Sequence, residues 1–417
     1  MKHSLTAACA LLALSTPVYA GKAEVLNTYA DIAQAGYEDS LISARRLSDA
    51  IYALLADPSA EALTKARQAW IASRVPYQQT EVFRFGNAIV DDWEGKVNAW
   101  PLDEGLIDYV GDGAGPTDEN PYAALNVIAQ PKFVLSGQEV DASTITPEFL
   151  ETTLHEADQV EANVATGYHA VEFLLWGQDL NGTDHGAGDR PWTDYAAGEL
   201  CTNGNCDRRA EYLRAATDLL ISDLEWMAAQ WAESGEARST VLADEDAGIV
   251  AILTGMGSLS YGEQAGERMK LGVMLNDPEE EHDCFSDNTH NSHFYDGLGI
   301  RNVYTGHYTR IDGSTVTGES LSDLVAEVDP TVDAGLRTQL DATMARLSAI
   351  KSTAEAGTSY DQMLARGNAA GEALIMGAVD ALVDQTRGIE RVVTALGLDG
   401  VGIEGSDSLD EPEAVFQ

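Results

Sequence analysis

Apolar residues along much of this chain recur every three or four positions, and these stretches alternate with others that have no period at all. Val25, Tyr29, Ile32, Leu47, Ile51 and Leu54 predict one long helix over 23–56, ending near Pro58. A second is predicted from after Ser59, through Trp70, to about Phe85, with Pro76 kinking it. Thr146 can cap a third, Pro147 suits its first position, Glu148 and Glu151 suit its positive end, and Gly177 can close it. Phe149, Leu150, Leu154, Val160, Val164, Val171 and Leu174 supply the period for that helix over 146–176. Tyr212, Leu219, Leu220, Leu224, Met227 and Trp231 lie on one side of a helix over 207–234. Further helices are expected over 244–275, 321–328, 332–356 and 360–396.

The stretches between them, 87–145, 178–205 and 276–313, are rich in turn-forming and polar residues and predict irregular excursions. Loops of such length inside a compact domain usually carry function. The chain also repeats itself. The run Gly167 to Gly177 aligns without gaps on Gly367 to Gly377, and Glu81 with Gly86 answers Glu267 with Gly272. The expected fold is all-α, with two similar helical-bundle domains from an internal duplication and long irregular loops. The domains would span 21–205 and 206–403, followed by a disordered acidic tail over 404–417.

Charge and the N-terminus narrow the setting. With 25 basic and 68 acidic side chains the formal charge is −43, which argues against nucleic acid or an anionic membrane as partner; it fits cation attraction, though most of it reads as a solvated acidic surface. Lys2 and His3, the apolar run Leu5 to Leu14, and Val18-Tyr19-Ala20 predict an export signal over 1–20. No later apolar run approaches the ~18 residues of a membrane span. Cys201 and Cys206 bracket a short turn-rich loop and are expected to pair in an oxidising compartment, which leaves Cys284 unpaired.

The chemistry centres on His169 and Glu172, three apart in the most apolar part of the predicted 146–176 helix. On one helical face they could share a metal ion; equally, they could be a satisfied core pair. Two ligands do not complete a site. Glu81 is the candidate third ligand. Asp103 and Glu104 in one loop, and Ser286, Asp287, Asn288 and His290 in another, would shape a cleft, with Glu267 and Arg268 bracing it. Arg268 with Asp287, or Glu81 with Arg84, could as well be ordinary ion pairs. Hydrolase templates fail: His155-Glu156 is followed by Ala157-Asp158-Gln159 rather than completing a zincin motif, and no nucleophile elbow or phosphate loop occurs.

Three separated motifs resemble one family. Gly167-x-His169-x-x-Glu172 running on through Phe173-Leu174-Leu175-Trp176-Gly177, Trp100-Pro101-Leu102-Asp103-Glu104, and Cys284-Phe285-Ser286-Asp287-Asn288-Thr289-His290 look like those of the imelysin-like proteins, nearest the iron-regulated protein A branch. The resemblance implies two similar helical bundles sharing a cleft, export, and a link to iron acquisition; the family is also filed among metallopeptidases for its His-x-x-Glu motif. The resulting expectation is an exported iron-binding protein of the periplasm or outer membrane, acting with a metal ion or metal chelate and with other iron-uptake components. A zinc peptidase using the same pair is the alternative, and a binding protein for a small ligand or peptide, without metal, is another.

Overall fold

The computed structural model describes residues 21–111, 115–117 and 120–416, so the export signal expected over 1–20 lies outside the described residues. Helices dominate the described chain, and its strands form two small antiparallel hairpins, Lys132–Leu135 with Gln138–Asp141 and His307–Thr309 with Thr315–Thr317. No helix is long and apolar enough to cross a membrane among the described residues.

The first helix, Lys22–Ala56, packs its apolar face against Ala60–Gln78 and Cys206–Trp231. An aromatic cluster joins them: Tyr29 and Tyr37 meet Phe83 and Trp231 edge-on, tilted or stacked, and Trp93 closes on Tyr37 at 5.8 Å. Such pairs add to the apolar burial that drives the core. The main core runs in sequence from Val25 to Val392 and so draws on both predicted halves. A smaller one gathers Met269, Leu347, Ile350, Ile375 and Leu382 where Pro330–Glu355 packs against Ala369–Leu396.

The predicted 146–176 helix is not continuous. Thr146 caps a short helical stretch through Leu154, but Glu156, Asp158 and Gln159 then adopt positive φ. Side-chain amides hold that break: Asn163 donates to the Ala157 carbonyl and Asn120 donates to Asn163. A new helix, Gly167–Trp176, begins at a left-handed Gly167 (φ +79°) and ends at Gly177 (φ +74°). A Cβ on Gly167 would lie 2.5 Å from the Val97 carbonyl oxygen, so only glycine lets this helix start so close to the Ala88–Asn98 helix.

Two further expectations are corrected. The 276–313 stretch contains a helix, Thr289–Thr305, with Ser292, His293 and Asp296 buried along it. The inward side of its first half is polar and only Ile300, Val303 and Tyr304 bury apolar surface in the second, so the apolar stripe is too short to mark the helix. The 404–417 tail is packed rather than disordered over its described part. Ser406 caps the turn Asp407–Asp410, Ser408 donates to the Gly266 carbonyl, and Tyr261 donates to Asp410. Gly262 and Gly266 leave the room, since a Cβ on either would collide with this segment.

Candidate metal centre

His169 and Glu172 sit one turn apart on Gly167–Trp176, fully buried, with His169 Nδ1 3.1 Å from Glu172 Oε2. The other carboxylate oxygen, Oε1, accepts from the Ser286 backbone N–H at 3.0 Å and from its hydroxyl at 2.6 Å. Glu172 therefore holds the imidazole by one oxygen and is itself held by the other. In the tautomer whose Nδ1–H donates to Glu172, His169 Nε2 carries the free lone pair, and Nε2 has no hydrogen-bond partner.

The loop before Thr289–Thr305 brings His282 and Asp283 to the same place. The His282 ring lies edge-on to His169 at 4.8 Å, and its Nδ1 is buried without a partner. Ligand atoms of His169, His282 and Asp283 lie within 4.8 Å of one another, the group among the described residues that could hold a metal ion. Asp283 is anchored: one oxygen accepts from Arg74 at 3.0 Å, the other from Asn288 at 2.8 Å and from the Ser292 hydroxyl. Carboxylate oxygens have about four lone-pair sites between them, so this anchoring leaves capacity for an ion. Arg74, from Ala60–Gln78, also donates to Asn98 at 2.7 Å and lies over the Tyr168 ring at 4.9 Å.

Electrostatics follow from that burial. Loss of water pushes His169 down to about 3, with Arg74 adding to it, and takes His282 well below the ordinary histidine value, helped by Arg268 and His169. Both rings are neutral at physiological pH. Burial and the Asp283 charge push Glu172 well above the usual carboxylate range, against the hydrogen bonds from Ser286. Burial alone would raise Asp283 too, but Arg74, His169 and the bonds from Ser292 and Asn288 outweigh it and keep it low.

The other expected residues fall at varied distances from this centre. Glu81 is not in the group; it accepts a 2.6 Å bond from Arg268, which also reaches Glu263 at 2.7 Å and Asp296 at 3.1 Å. Arg268 thus pairs with these three rather than with Asp287, and Glu81 with Arg268 rather than with Arg84. Asp103 accepts from Asn120, and Glu104 is pushed up by burial and lies within reach of the Asp103 charge. Asn288 supports Asp283, His290 lies on the Thr289–Thr305 helix beside Asn291, and Asp287 takes a left-handed φ of +56°. Cys201 and Cys206 are joined as a disulfide with Cα atoms 6.0 Å apart, and Cys284 is free. His282, Asp283 and Arg74 are missing from the residues the sequence singled out. The adjacent His282-Asp283 in a polar loop was the available signal, but nothing in its spacing tied it to His169, 113 residues earlier.

A cavity of about 520 Å³ adjoins this centre through His282, the one of the three residues in its wall, and Arg268 lines it as well. Trp100 and Pro101 line it on one side and Glu263, Glu267 and Leu271 on another.

Residues 33–389 match the family model described as Imelysin (Peptidase M75). The chain belongs to the imelysin family. Over 67 residues it is 36% identical to Iron-regulated protein A of Synechococcus elongatus, a match that spans 16% of this chain and 19% of that relative. Solved structures share the fold. One, described as an iron-regulated protein A precursor from Parabacteroides distasonis, aligns at a TM-score of 0.65 and 20% identity over 92% of this chain and 97% of its own. An imelysin-like protein from Psychrobacter arcticum aligns at 0.58 and 16% identity over 94% of this chain and 100% of its own. The imelysin family thus accounts for the largely helical architecture seen here.

Proposed function

We propose that this imelysin-family chain is an exported protein that binds iron for uptake, with His169 Nε2, His282 Nδ1 and an Asp283 oxygen as its ligands. The observation that carries the reading is the pair of neutral imidazole nitrogens, both buried, both without a partner and set on adjoining rings. A buried nitrogen left unpaired costs on the order of 1–3 kcal/mol, and a bound ion would remove that cost at both rings at once. Two histidines and one carboxylate with open positions are the donor set that ferrous iron takes in non-haem sites. Glu172 serves as the orienting partner of His169 rather than as a ligand, and Ser286 fixes Glu172. Export through residues 1–20, a periplasmic or outer-membrane location, division into bundles at 21–205 and 206–403, and action with other iron-uptake components belong to the same proposal.

The same donors with an open position also suit zinc, which gives the peptidase reading its remaining support. Against it, both oxygens of Glu172 are engaged, so no free carboxylate at the motif is poised as a base. Elemental analysis and titration of the mature protein with ferrous iron and zinc, for wild type, His169→Ala and His282→Ala, test the proposal. Tight iron binding abolished in both variants supports it. Zinc-dependent cleavage of protein substrates that Glu172→Gln stops would replace it, and equal iron binding by all three proteins would refute the site.

A further inference from the structure

The cavity outside the centre is wide enough for a small chelate, since ligand pockets of a few hundred cubic ångströms hold small organic molecules. Its size therefore does not decide what enters. Its charge does. The wall carries Glu94, Glu156, Glu161, Glu263, Glu267 and Glu280 against two guanidinium groups, Arg84 and Arg268. Both guanidinium groups are already taken. Arg84 reaches Asp91 at 2.9 Å, Glu94 at 3.4 Å and Glu263 at 3.5 Å. Arg268 is shared among Glu81, Glu263 and Asp296. Neither has charge to spare for an anion, whereas Glu156 and Glu161 in the wall are exposed carboxylates and Glu267 and Glu280 are half-buried ones.

Among the lining residues of that acidic wall is His282, 2% exposed, with its unpartnered Nδ1. Its ring touches Trp100 at 5.9 Å on one side and His169 at 4.8 Å on the other, so it bridges cavity and centre. We infer that the cavity admits its metal as a free hydrated divalent cation, drawn in by Glu267 and Glu280 and passed to His282, and that it excludes anionic chelates of ferric iron. The inference rests on the metal centre proposed above and names the form of its cargo. Carboxylate-lined clefts of this kind raise the capture rate of a cation by roughly 10- to 1000-fold at low ionic strength, and salt removes the gain.

Trp100 supplies a readout, because a paramagnetic ion at His282 would quench its fluorescence. Stopped-flow quenching would compare manganous and ferrous ions with ferric citrate, for wild type and the double variant Glu267→Gln/Glu280→Gln, at low salt and at about 0.5 M salt. The expected result is quenching by the free ions and none by ferric citrate. Association with the double variant should be at least about tenfold slower at low salt, the gap closing at high salt. Trp100→Phe identifies the reporting ring, and circular dichroism confirms that the double variant is folded. Binding of ferric citrate as tight as that of the free ions, or an unchanged association rate in the double variant, overturns the inference. His169→Ala and His282→Ala separate the two levels. If they bind free ions as wild type does, the metal centre itself fails. If they lose binding while the double variant associates normally, only the cation-capture inference fails.

Discussion

Ser286 donates both its backbone N–H and its hydroxyl to one oxygen of Glu172, a residue 114 positions earlier in the chain. That contact ties the loop before Thr289–Thr305 to the Gly167–Trp176 helix and leaves the second oxygen for His169. A positioning role of this kind makes a defined claim. Ser286→Ala keeps the backbone bond and removes the hydroxyl, so the protein should lose on the order of 1 kcal/mol of stability. Iron affinity should fall by about 10- to 100-fold, as is common for outer partners of metal-ligating histidines. Calorimetric titration beside a thermal melt checks both, and unchanged affinity would mean that Glu172 does not orient His169.

Asp108 is the shared acceptor of a buried structural cluster. It receives Arg190 and Arg209, each at 2.6 Å, and all three side chains are buried. Asp108→Ala leaves Arg190 only its 3.2 Å pair with Asp194 and Arg209 only backbone carbonyls of Asp194 and Gly204, and should cost about 3–5 kcal/mol. A denaturant titration with an unchanged slope but a much lower midpoint is the expected outcome. A loss under about 1 kcal/mol would show that water compensates the arginines.

Asp223 gives the clearest pH dependence outside the metal centre. Burial, and then the Glu151 charge, push its carboxyl up to about 7 against the pull of Lys96. Its value in the folded protein lies above that in the unfolded chain, so the folded state binds the proton more tightly. The penalty is absent below about pH 4, grows between about pH 4 and pH 7, and is complete above pH 7. Asp223→Asn should therefore stabilise the protein at pH 8 by on the order of 1–2 kcal/mol, after discounting for the water that reaches the group, and should change little at pH 4. Melting curves at the two pH values decide it; an equal effect at both would remove the titration from the explanation.

Gly167→Ala combines a left-handed φ with a collision against the Val97 carbonyl. The helix carrying His169 would have to move, and a loss of at least about 2 kcal/mol with weakened iron binding is expected. Thermal melts and iron titration of the variant are the check, and a variant as stable and as tight-binding as wild type would contradict the close approach.

The long helices were legible in the order of residues alone. Lys22–Ala56 and Cys206–Trp231 follow their apolar stripes closely, because each buries one face against another helix and the period records it, whereas the helix expected over 360–396 is broken into Tyr360–Leu364 and Ala369–Leu396. The order of residues determined the pairing of His169 with Glu172 as well, since both lie on one helical turn. It misled where apolar burial and helical period part company. The break after Leu154 keeps Val164 and Ala165 buried in irregular backbone, and Ala60–Gln78 ends before Glu81 although buried residues continue through Phe85. Thr289–Thr305 was hard to read for the opposite reason, since the buried face of its first half carries Ser292, His293 and Asp296 and only Ile300, Val303 and Tyr304 follow as apolar positions.

Which groups meet was settled by packing over long chain separations. His282 and Asp283 reach His169 from a loop whose position is set by Ser286 on Glu172 and by Arg74 on Asp283. Arg268 claims Glu81 because the Leu259–Lys270 helical segment brings its guanidinium there. Helix period reports contacts within a few residues of chain, while these hydrogen bonds span more than a hundred residues and leave no periodic trace. Their partners are fixed by burial, which makes an unpaired charge too costly to leave and so selects the neighbour that can satisfy it.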